Sequence, residues 1–116
     1  MAIHVVKTPI SRKELQNIAD ERFGDLVKGV ADVRQNLLAL GPELHADAET
    51  LLIEQEGSKR EDLWGINLYP AETGDTFVEF DSLINLKPGL GNRTRGVDDE
   101  QTRARIIKVV NSLVQE

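Results

Sequence analysis

The sequence predicts an α+β fold: a two-layer sandwich with a mostly antiparallel sheet built from two hairpins and about three helices, in the order β-α-ββ-α-ββ-α. Three observations lead there. Apolar residues recur at helical spacing in residues 11–23 and again after residue 98. Two pairs of strand-like stretches are each separated by turn-forming residues. A chain of 116 residues with 40% hydrophobic content is long enough for one core, so residues 1–116 read as a single domain. No repeat, low-complexity run or linker interrupts it.

The elements follow in order. Residues 3–6 (IHVV) are β-branched around a histidine and read as a short first strand. Ser11 and Glu14 form a capping box, in which the hydroxyl accepts from a free amide and the glutamate reaches back. Leu15, Ile18, Ala19, Arg22 and Phe23 then repeat at helical spacing, and Gly24 ends that helix. Residues 25–41 admit two readings. Leu26, Val30, Val33, Leu37 and Leu40 suit a helix, whereas Val27, Gly29, Ala31 and Val33 alternate as in a strand. With Arg34-Gln35-Asn36 as the turn, a hairpin of 26–33 and 37–41 is preferred, though periodicity alone does not separate the two.

A short helix is expected over 48–56, with Leu51 and Leu52 as its apolar stripe and Gly57 as its stop. DLWGINLYP and FVEFDSLINLKP read as a second hairpin around AETGDT. Trp64, Ile66 and Leu68 share one face, as do Val78, Phe80, Ile84 and Leu86. Asn67, Glu79, Asp81 and Asn85 fall on the opposite face, expected to be wet or functional. Asp98 is expected to cap the last helix, with Gln101 at its third position. Ile106, Ile107, Val110, Leu113 and Val114 make that helix's stripe.

Composition limits function. The net charge is −6, against the basic footprint that generic nucleic-acid binding needs. There is no cysteine, which excludes disulfides and thiolate chemistry. The opening MAIHVVKTP lacks signal-peptide design and no apolar run approaches membrane-spanning length, so the expectation is a cytoplasmic protein with no membrane partner.

Residues 85–97 stand out, with three cations (Lys87, Arg93, Arg95), three glycines and no acid. A glycine-rich loop entering a helix offers free amides and a favourable dipole to an anion. Guanidinium forks at Arg93 and Arg95 match phosphate or carboxylate, with Lys87 and Asn92 beside them. The same features also fit a plain turn whose arginines pair with the chain's own acids. Neither a Walker loop nor GxGxxG is present.

Secondary candidates are weaker. His45, Asp47 and Glu49 share a face if extended, which would suit a divalent ion, but they equally fit an acidic first helical turn. Without HExxH, no metal site is assigned. Glu79 and Asp81, with Asn67 across the hairpin, could divide acid and base roles or simply be a solvated face. Trp64 reads as a core anchor.

The blocks ELHADAE, DLWGINLYP and FDSLINLKPGLGNRTRGV resemble a family of small bacterial and archaeal proteins catalogued as a domain of unknown function. The resemblance implies a compact single domain and brings no activity, cofactor or catalytic residue. The functional expectation is therefore a module that binds a small anionic ligand or a partner's acidic segment through the 87–97 loop, with a homodimer as a further possibility. The alternative is a small enzyme on a phosphorylated or carboxylated metabolite, using His45, Glu79 or Asp81.

Overall fold

The computed structural model describes residues 2–116. Its strands are β1 (His4–Val6), β2 (Ile10–Ser11), β3 (Val27–Asp32), β4 (Leu37–Leu40), β5 (Leu63–Leu68), β6 (Val78–Glu79) and β7 (Val114–Gln115). Its helices are α1 (Arg12–Asp20), α2 (His45–Glu56) and α3 (Glu100–Leu113). Five strands form one antiparallel sheet in the order β1-β4-β3-β5-β6, while β2 and β7 make a separate parallel pair. This is the expected α+β fold, with three helices and a mainly antiparallel sheet.

Helix α1 starts as its sequence dictates. Ser11 Oγ accepts the Glu14 N–H at 3.1 Å, and the Ser11 N–H returns to Glu14 Oε1 at 3.3 Å. Residues 25–41 form the hairpin, not the helix. The four residues LLAL of β4 are all buried, which a sheet covered on both faces explains and an amphipathic helix does not. The turn is held by fully buried Asp32. Its Oδ1 accepts the Arg34 and Gln35 amides, and its Oδ2 accepts the Ser58 hydroxyl at 2.7 Å and the Gln35 side chain at 3.0 Å. Burial alone would raise the Asp32 pKa, but these bonds outweigh it and hold the carboxyl below its usual range.

Alternation along the strands feeds two clusters. On one face Val27, Ala31, Leu38, Leu40, Trp64, Ile66 and Leu68 pack with the apolar stripes of α1 and α3. On the other, Val30, Leu37, Ala39 and Leu63 pack with Ala48 and Leu52 of α2. The face expected to be wet is thus largely covered by α2, which begins at His45, three residues earlier than the sequence suggested.

The second hairpin departs most from expectation. Only Val78 and Glu79 pair with β5, opposite Leu68 and Asn67. Residues 83–85 and 88–90 are 3₁₀ turns, leaving Leu83 and Leu86 exposed while Asn85 is fully buried. Asn85 takes the place of a strand. Its Oδ1 accepts the Gly65 N–H at 2.8 Å and its Nδ2 donates to the Gly65 carbonyl at 3.0 Å, so one side-chain amide satisfies the free edge of β5 as a neighbouring peptide would. Gly65 permits the approach, because a Cβ there would overlap the Ser82 side chain.

The α3 cap also shifts by one residue. Asp99, not Asp98, accepts the Thr102 N–H at 2.9 Å and its hydroxyl at 2.7 Å. Ile106, Val109, Val110 and Leu113 are buried, each contributing about 1.5–3 kcal/mol of transfer free energy. Val114 leaves the helix to pair with Ile10.

Candidate functional site

The 85–97 loop is tightly self-bonded. Asn92, 4% exposed, donates from Nδ2 to the carbonyls of Asn85 (2.7 Å), Gly96 (2.8 Å) and Thr94 (3.2 Å), and accepts the Asp98 N–H at Oδ1 (2.8 Å). Its side chain is fully used in holding the turn. Lys87 is buried, donating from Nζ to the Ile84 carbonyl at 3.0 Å and standing 5.1 Å above the Trp64 ring. Burial lowers its pKa, with Glu49 opposing. Of the amides near residues 96–99 expected to point at a visitor, Gly96 N–H is bonded to the Thr94 hydroxyl and Asp98 N–H to Asn92 Oδ1, while the flanking Arg93 and Thr102 amides close on Asp98 and Asp99.

The two guanidinium groups differ. Arg95 donates from Nε to Asp81 Oδ1 at 2.7 Å in a pair about half exposed on both sides. Its Nη groups have no partner among the described residues, nor does the exposed Arg93 guanidinium. The loop's exposed charge is therefore carried by Arg93 and Arg95, and Arg95 is tied to Asp81, two residues beyond β6.

There the secondary candidates come together. Asn67 on β5 donates to Glu79 Oε1 on β6 at 2.9 Å, and Tyr69 Oη donates to the same oxygen at 2.9 Å. His45, at the start of α2, bonds through Nε2 to the Ile66 carbonyl at 2.9 Å. A carbonyl only accepts, so Nε2 carries the proton and Nδ1 keeps its lone pair while the ring is neutral. Burial lowers the His45 pKa, the Ile66 bond opposes that, the Lys28 charge lowers it further, and the Asn67 side chain next to the ring raises it. The Asp81 charge acts on His45 weakly in the same raising sense. Tyr69 is pushed above its ordinary range by partial burial and by the Glu79 bond.

One atom in this group lacks a well-formed hydrogen bond: Asn67 Oδ1 is buried, with the His45 ring near it but no donor at bonding distance and angle. Such an acceptor is unusual, and each exception has a physical reason to be sought. Lys28, the residue opposite Asn67 in β3, belongs to the same sheet face. Sequence reasoning passed over Lys28 and Tyr69. The available signals were the one cation inside VKGVAD and the position of Tyr69 two residues after Asn67.

Asp47 and Glu49 do not join His45 as an extended trio would. The segment is helical, so Asp47 is exposed in the first turn while Glu49 turns inward one turn below His45. Glu49 Oε1 lies 3.8 Å from Arg60 Nε, and Oε2 is buried without a partner. Among the described residues no three His, Asp or Glu side chains gather as metal ligands would.

A family model described as "Protein of unknown function (DUF5674)" matches residues 4–113. No curated protein and no solved structure matches the chain.

Proposed function

The chain belongs to the family described as protein of unknown function (DUF5674), which carries no activity with it, and from that premise we propose a role read from the site alone. The domain binds a small molecule bearing a carboxylate or phosphate next to a hydroxyl or amine. The anionic group takes the unpaired Nη donors of Arg95, with Arg93 following from the same loop. The hydroxyl or amine donates to Asn67 Oδ1, and His45 and Glu79 flank it.

The observation that carries this reading is the buried Asn67 Oδ1, without a well-formed hydrogen bond, in a residue whose Nδ2 is held by Glu79 together with Tyr69. Leaving such an acceptor unmade disfavours the empty state by about 1–3 kcal/mol, which a donor on a ligand recovers once the side chains covering Asn67 move aside. His45 favours a second, catalytic reading. A histidine held neutral near pH 7 is suited to take a proton from that hydroxyl or amine.

Thermal shift with inorganic phosphate and with lactate tests the binding claim. Ligand at a hundredfold excess over its Kd stabilises by about 2.7 kcal/mol, a readily measured rise in melting temperature. The double variant Arg93→Ala, Arg95→Ala should abolish the rise from both probes, and Asn67→Leu the part specific to lactate. Unchanged melting of the wild-type chain in both probes refutes the reading.

A further inference from the structure

A second site lies on the opposite side of the sheet. Between β6 and α3 runs a groove of about 490 Å³, whose floor is formed by Phe77, Val78, Phe80 and Ile107 and whose walls hold Arg12 and Arg103. The volume falls in the range of small-molecule sites. Phe77 itself is 5% exposed, while Val78, Phe80 and Ile107 are half-buried, so apolar surface is offered along the groove.

Both arginines are held by carbonyl oxygens. Arg12 stacks 3.7 Å above the Phe77 ring and donates from Nη1 to the Pro70 and Glu72 carbonyls, at 3.1 and 2.8 Å. Arg103 donates from Nη1 to the Val97 carbonyl at 2.6 Å and to that of Asp98 at 3.3 Å. A carbonyl fixes a guanidinium without cancelling its charge, unlike a carboxylate. The nearest carboxylate to Arg12 is that of Glu116 at 3.9 Å, 89% exposed, and among the described residues none pairs with Arg103. Glu100 and Asp75 line the groove as exposed side chains without pairing to either arginine.

Two immobilised positive charges over a phenylalanine and isoleucine floor have a definite complement. We infer that the β6–α3 groove binds an amphipathic carboxylate, its acyl or aryl body lying on Val78, Phe80 and Ile107 and its carboxylate between Arg12 and Arg103. The guanidinium positions are set before binding, so little side-chain ordering opposes association. This site shares no residue with the polar group around Asn67.

Calorimetric titration of the full chain with decanoate tests the inference, with decanol and inorganic phosphate as controls. Decanoate should bind with a Kd on the order of 1 mM, given about 0.3 kcal/mol per non-hydrogen ligand atom. Removing one charged donor, as in Arg103→Gln, should weaken it about tenfold or more. Ala104→Trp fills the groove from an exposed helix position and breaks no native bond, so it should abolish binding in a chain whose melting is unchanged. Arg93→Ala with Arg95→Ala should leave decanoate binding intact. Absence of decanoate binding, equal affinity for decanol, or full affinity in Ala104→Trp would each overturn the inference.

Discussion

Replacing Asn85 with alanine should be among the most damaging single changes in this chain. The side chain is fully buried and its amide makes three hydrogen bonds: Oδ1 from the Gly65 N–H, Nδ2 to the Gly65 carbonyl, and Nδ2 to the Arg95 carbonyl at 2.9 Å. The Arg95 carbonyl keeps a second partner, the Ser82 N–H at 2.9 Å, so it is not orphaned. Two buried groups, both on Gly65, are. At about 1–3 kcal/mol each, the loss is about 2–6 kcal/mol, a large share of an ordinary domain's stability. Urea denaturation followed by far-UV circular dichroism gives the value directly, with an unchanged dependence on denaturant if only stability has moved. Asn85→Asp separates the bonds from mere volume. Its carboxylate can still accept from Gly65 N–H but faces two carbonyls, so its destabilisation should shrink on acidification as the carboxyl becomes a donor. If Asn85→Ala unfolds within about 1 kcal/mol of the parent, the amide is not closing the β5 edge as argued.

Three further outcomes follow from the same geometry. Asp32 has a lowered pKa in the folded state, so its contribution is present above the unfolded value of 3.8 and is lost as pH falls through the folded one; Asp32→Asn should flatten the acid limb of stability in urea titrations. His45 has a lowered pKa as well, so the unfolded chain takes up its proton first and stability declines as pH drops below about 6.5; His45→Gln should remove that slope, and an unaltered slope would refute the assignment. Gly65→Ala should destabilise by about 1–3 kcal/mol through overlap with Ser82, and Ser82→Gly in the same chain should recover part of it; no recovery in the double variant would place the strain elsewhere.

The α+β class and the element order were legible because hydrophobic spacing changes sharply between helical and strand-like segments. Ser11 with Glu14 and the stripe from Ile106 to Leu113 are local signals, and local signals survive folding. Residues 80–90 misled because Phe80, Ile84 and Leu86 keep strand-like spacing although tertiary bonds decide their path. Ser82 and Asn85 fit against Gly65, which lies some twenty residues earlier, and nothing in their neighbours announces it. The same limit applies to the site. The cations of the loop are plain in the sequence, but that Asn92 is used up internally, that Lys87 is sealed over Trp64, and that Arg95 meets Asp81 are facts of three-dimensional register. Grouping His45 with Asn67 required α2 to cross the sheet at Ile66, which no spacing rule supplies.

The Lys87 ammonium over the Trp64 indole gives this protein a built-in optical gauge. The chain has a single tryptophan, so its emission comes from one ring with a known neighbour, and a positive charge near an indole alters the colour and yield of its light. Any event that lifts residues 85–97 away from β5 should therefore be visible without a label, and Lys87→Met should silence the response while leaving the ring in place. Kinetics of that segment can be followed in the native molecule by stopped-flow fluorescence alone.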